Sequence, residues 1–131
     1  MQVTVNVDQV GSSTAVSTIR NHAVLVDRPE SKGGADAGAM GGELLLASLG
    51  GCFISNLLEA IRTREADIGA VNVEVIGTFG GSPTKVEGID MNVSATTQDK
   101  ELLEKLVVIS ERSCIVANTL KGAVELKVSV V

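Results

Sequence analysis

The chain is nearly without aromatic side chains. Phe53 and Phe79 are the only two among 131 residues, and Trp and Tyr are absent. Proteins that hold single-stranded nucleic acid stack its bases on aromatic faces, and no such platform exists here. Positive charge is also short. Eleven Lys and Arg stand against 16 Asp and Glu, a net charge of −5, which is the wrong sign for gripping a phosphate backbone. No nucleic-acid partner is expected. Histidine is reduced to His22 and no C-x-x-C pair occurs. A four-ligand zinc site would therefore need carboxylates or a second subunit, and neither a metal nor another cofactor is expected. The uncharged run from Leu44 to Leu58 is shorter than the roughly 20 residues of a membrane-spanning helix. Met1 to Asp8 lacks the basic and apolar regions of a signal peptide. The expected setting is the cytoplasm, with no membrane partner.

What is present fits one domain spanning residues 1–131. Hydrophobic residues make up 44% of the chain, ample to offset the entropy of ordering. Alternating or valine-rich segments at Val3–Val7, Ala15–Arg20 and Ala23–Val26 read as three strands. A break from Arg28 to Gly42 follows, holding Pro29 and five glycines; patternless connections of that length are functional or mobile. It matches neither the P-loop nor the dinucleotide-binding glycine pattern. A helix is predicted from about Glu43 to Ala66, apolar nearly all round through Leu58 and charged thereafter. Strands near Val71–Phe79 and Val86–Thr96 flank the turn cluster Gly80-Gly81-Ser82-Pro83. A second helix is predicted from Asp99 to a stop at Lys121-Gly122, and a last strand over Ala123–Val131. The order βββ-α-ββ-α-β indicates an α+β fold with antiparallel sheet around a buried helix.

Two cysteines stand out. Leu45, Leu49, Cys52 and Asn56 share one helical face, and Leu103, Val107, Ser110 and Cys114 repeat the spacing on the second helix. Each thiol thus extends an apolar stripe. If the helices pack together, sulfurs 62 positions apart can meet. Free cysteine is also a common small core residue, so inert packing and reactivity both fit this pattern. In a reducing compartment a pair of cysteines points to reactivity more readily than to a structural bridge.

The segments around both cysteines go further. Gly33-Gly34-Ala35-Asp36-Ala37-Gly38 with Glu43-Leu44-Leu45-Leu46-Ala47-Ser48-Leu49-Gly50-Gly51-Cys52 resembles the signature of the OsmC/Ohr family, the osmotically inducible and organic hydroperoxide resistance proteins. Ser113-Cys114-Ile115-Val116-Ala117-Asn118-Thr119-Leu120-Lys121-Gly122 is similar to the family's second cysteine motif. The resemblance implies an intertwined homodimer whose sheets wrap the cysteine helices. It also implies a thiol peroxidase that acts on small hydroperoxides. Cys52 would be the peroxidatic thiolate and Cys114 the resolving thiol, with the resulting disulfide reduced by a cellular dithiol.

Two departures from the family pattern bear on the thiolate. Peroxidase members carry Pro-Glu where this chain has Gly41-Gly42, and Cys-Pro where it has Cys114-Ile115. The acidic residue present is Glu43, expected either to complement the helix dipole or to orient an arginine beside Cys52. Arg20 and Arg28 are the candidate arginines, though such residues are more often solvated strand-end charges, and His22 lies close to them in sequence. A dimeric small-ligand-binding protein with the cysteines lining its pocket is the alternative function.

Overall fold

The structure, a computed structural model, describes residues 1–131. The chain forms two compact units, Met1–Leu45 and Leu46–Val131.

The first unit is an antiparallel meander of β1 (Asn6–Gln9), β2 (Ala15–Ile19) and β3 (His22–Val26). Arg20 and Asn21 form the two-residue link between β2 and β3, since Ile19 pairs with His22. Arg20 adopts a φ of 55°, the left-handed backbone that tight hairpins require. This turn ends β2 at Ile19, so β1 pairs only from Asn6 opposite Thr18 to Gln9 opposite Ala15. The strand expected at Val3–Val7 is therefore displaced toward the C-terminus, and Val3 to Val5 lie outside it.

The glycine-rich break is organised by Asp27, which is only 3% exposed. Its carboxylate accepts hydrogen bonds from the Thr14 hydroxyl at 2.8 Å and from the amides of Arg28, Ala35 and Ala37 at 2.7, 3.3 and 3.1 Å. Burial alone would raise its pKa. The donors, Arg28 and Ala37 first and then Thr14 and Ser13, outweigh that and hold the carboxyl well below the ordinary carboxylate range. A Cβ on Gly34 would collide with the Arg28 carbonyl, so this loop closes only with glycine there.

The second unit holds most of helix α1 (Gly41–Thr63), which begins at the end of the first. Strands β4 (Ile68–Gly80) and β5 (Lys85–Thr97), helices α2 (Lys100–Ser113) and α3 (Ile115–Leu120), and strand β6 (Glu125–Val130) follow. The expected order of elements is present, with the second helix divided. The sheet runs β4-β5-β6. β4 and β5 are antiparallel, as the turn cluster between them requires, whereas β5 and β6 pair in parallel. The helical crossover through α2 and α3 makes that possible, because a parallel pair cannot be joined by a tight turn. Leu49, Phe53 and Leu57 of α1, Ile89, Met91 and Val93 of β5, and Leu103, Leu106 and Val107 of α2 form the core with Cys114 and Ala117.

Helix α1 starts two residues before the expected position. The Glu43 carboxylate reaches back to the Met40 amide at 2.9 Å, satisfying a donor that the helix start leaves open. It ends earlier as well, since Glu65 turns left-handed at φ 50° and the Ala66 amide returns to the Ile61 carbonyl. At 23 residues, α1 is by length and composition long enough to cross a membrane, a correction to the estimate from its uncharged run alone. Its buried residues are Leu49, Gly50, Phe53, Leu57, Ala60 and Ile61, and these pack in the core.

Candidate active site

Cys52 lies on the fourth turn of α1, immediately before the buried Phe53. Gly50 sets the spacing between this part of the helix and the sheet, because a Cβ there would lie 2.8 Å from Val75 Cγ2 on β4. The close approach at Gly50 is thus to a side chain and not to another backbone. Cys52 is half-buried, and its carbonyl accepts from the Asn56 side chain at 3.0 Å.

Cys114 occupies a different position from the one its spacing implied. The second helix does not run through to Lys121 but breaks at Cys114, the residue between α2 and α3, with extended backbone at φ −77° and ψ 113°. Its amide still bonds to the Glu111 carbonyl at 3.2 Å, and its sulfur caps the next helix by accepting the Ala117 amide at 3.4 Å. The stripe of Leu103, Val107, Ser110 and Cys114 is nevertheless buried throughout, with Cys114 at 0% exposure. The buried Ser110 hydroxyl is satisfied by the Leu106 carbonyl at 2.7 Å.

The two sulfurs meet. The Cys52 sulfur accepts hydrogen bonds from the amides of Val116 and Ile115 and from the Cys114 thiol. Partial burial raises the Cys52 pKa, but these three donors outweigh it and bring the thiol below its ordinary value. Cys114 shifts the other way. Burial is the largest cause and the adjoining Cys52 sulfur adds to it, against the Ala117 and Val116 amides, so its pKa rises. The pair therefore ionises in a fixed order, Cys52 as thiolate with Cys114 as the thiol that donates to it. Both cysteines are free.

Every group that shifts Cys52 is a neutral donor or the partner thiol. Arg20, His22 and Arg28 belong to the first unit. Arg20 forms its hairpin turn, His22 begins β3, and Arg28 gives its amide to Asp27. The Glu43 carboxylate is engaged with the Met40 amide. Sequence reasoning did not find the amide donors at Ile115 and Val116. A cysteine capping a short helix was the available signal, hidden because Ser113 to Leu120 carries no proline or glycine to mark the break. Asp27 was missed too, since a lone Asp after a strand has no pattern.

No group of three or more His, Cys, Asp or Glu side chains is placed to hold a metal ion. A concavity on the sheet is lined by Thr78, Glu87, Gly88, Ile89, Asp90, Glu125 and Lys127. It contains neither cysteine.

The family model described as OsmC-like protein matches residues 33–129. Among solved structures, the chain is similar to a protein of Psychrobacter arcticus 273-4 at 20% identity and a TM-score of 0.86, covering 100% of this chain and 97% of that one. An OsmC-like protein of Mycoplasma pneumoniae is 16% identical with a TM-score of 0.82, covering 100% and 96%. The organic hydroperoxide resistance protein OsmC of Legionella pneumophila is 19% identical with a TM-score of 0.76, covering 99% and 98%. At these identities the likeness shows the fold. No curated protein sequence matches the chain.

Proposed function

Because the chain belongs to the OsmC-like family, we propose that it is a thiol-dependent peroxidase that reduces organic hydroperoxides, with Cys52 as the attacking thiolate and Cys114 as the resolving thiol. The observation that carries this reading is the asymmetry of the pair. One sulfur is partly accessible and held toward its ionised form by hydrogen bonds, and the other is buried and kept protonated beside it.

The chemistry follows from that order. The Cys52 thiolate attacks a peroxide oxygen, the O–O bond breaks, and the sulfur becomes a sulfenic acid while the alkoxide leaves and is protonated to an alcohol. The Cys114 thiol supplies that proton and becomes the thiolate that attacks the sulfenic sulfur. The disulfide forms and hydroxide leaves, to be protonated by solvent. An external dithiol returns both sulfurs to the reduced state by exchange. Ile115, 76% exposed beside the buried Cys114, favours an organic substituent on the peroxide.

The protein acts as a homodimer of single OsmC-like domains in the cytoplasm, in this reading. Exposed Leu58 on α1 and Val108 and Ile109 on α2 are apolar side chains available to such an interface. Light scattering on the purified protein gives twice the chain mass if this holds, and the mass of one chain if it does not. The decisive assay follows peroxide consumption with a small dithiol as reductant. Turnover of a cumene-type hydroperoxide faster than hydrogen peroxide, abolished by Cys52→Ser, is expected. A wild-type protein that consumes neither peroxide would leave the small-ligand-binding function in its place.

A further inference from the structure

The donors that hold the Cys52 sulfur lie at the start of α3, a helix of six residues. A helix that short is not stable by itself, and Ala117 is its only buried residue. Something outside its own ladder must fix the direction in which the Ile115 and Val116 amides point. Two side chains cross the break at Cys114 to do so. Asn118 donates its side-chain amide to the Arg112 carbonyl in the last turn of α2 at 3.0 Å, while its backbone amide bonds to the Cys114 carbonyl at 2.9 Å. One turn further on, Lys121 pairs with Glu111 at 2.7 Å. Asn118 is the more direct of the two. It binds both α2 and the linking residue, so its two bonds span the turn through Ser113 and Cys114.

We propose that Asn118 is the positioning residue of the thiol site, clasping α3 to the end of α2 so that the Ile115 and Val116 amides are aimed at the Cys52 sulfur. Asn118 touches neither sulfur and acts only through the backbone it fixes. The Arg112 carbonyl is one that a helix end leaves without an intrahelical partner, so the clasp also satisfies an open acceptor. The one titratable group acting directly on Cys52 is Cys114. Glu111, Arg112 and Lys121 surround the clasp itself. This inference rests on the reading of Cys52 as the working thiolate, and its test reads ionisation, not turnover.

The test measures the rate of Cys52 alkylation as a function of pH in the reduced full-length chain, with the modified residue located by peptide mapping and the melting temperature recorded alongside. In Asn118→Ala the midpoint moves up toward that of an ordinary cysteine. Alkylation at pH 7 slows by about 3- to 10-fold, in proportion to the lost thiolate fraction. Asn118→Gln, which keeps the donor on a longer arm, returns the midpoint toward wild type. Asn118→Ser, too short to reach the Arg112 carbonyl, behaves as Ala and gives a second reading if Ala melts early. A midpoint unmoved in both the Ala and Ser variants overturns the assignment, whatever happens to the melting temperature. An intact midpoint shift in a protein that consumes no peroxide would sustain the clasp while removing the peroxidase function.

Discussion

The Cys114 thiol donates to the sulfur of Cys52 while its own sulfur accepts the Ala117 amide at 3.4 Å. One buried atom therefore links the working thiol to the cap of the following helix. The first consequence concerns ionisation. Cys52 is shifted down and Cys114 up, so alkylation as pH rises modifies Cys52 first, with a midpoint below that of an ordinary free cysteine. Because the donors are neutral, raising the salt from 0.05 to 0.5 M, on the order of a tenfold change, leaves that midpoint nearly fixed, whereas a thiolate held by an arginine would be screened. Titration of the alkylation rate at the two salt concentrations checks both statements.

Asp27 makes the glycine-rich loop sensitive to acid. Its folded pKa is depressed, so its contribution to stability is complete above the ordinary carboxylate range near 4 and is lost as pH falls below it. Melting temperature measured from pH 7 down to pH 3 should fall in the wild type. In Asp27→Asn it is already lower at pH 7 and changes less across the acid window. An unchanged melting temperature at neutral pH would remove Asp27 as the organiser of the loop.

Gly50 sits where α1 approaches β4. Alanine improves helix propensity by about 1 kcal/mol, but its Cβ would press on Val75 Cγ2 at 2.8 Å, and overpacking costs about 1–3 kcal/mol. Gly50→Ala is therefore expected to be destabilising by up to about 2 kcal/mol in chemical denaturation. Gly50→Ala combined with Val75→Ala, which removes the clashing atom, recovers the part of the loss that comes from the contact. A more stable Gly50→Ala single variant would show that the helix stands further from the sheet.

The element order and the long β4–β5 hairpin were legible in the sequence because alternation and the Gly80 to Pro83 cluster are local signals. The cysteine pair was legible as two apolar stripes, of which the one on α2 is buried throughout while on α1 only Leu49 is buried and Leu45 is exposed, and, more sharply, through the family motifs. The break at Cys114 was not. Ser113 to Leu120 carries no proline or glycine to mark a stop, and the interruption is held by the Cys114 sulfur accepting the Ala117 amide and by Asn118 reaching back to the Arg112 carbonyl. The parallel pairing of β6 was hidden for a related reason. Alternation in Glu125–Val130 fixes which side chains share a face but carries no direction. In the first unit the alternation of Val3 to Val7 overstated β1, whose length is limited by the Arg20 turn at the far end of its partner strand.

The most direct test is mass spectrometry of the reduced protein after one equivalent of organic hydroperoxide, followed by alkylation and proteolysis. The account predicts a peptide pair joined through Cys52 and Cys114, and in Cys114→Ser a single oxidation on Cys52 with no cross-link. Two freely alkylated cysteines in the treated wild type would contradict it.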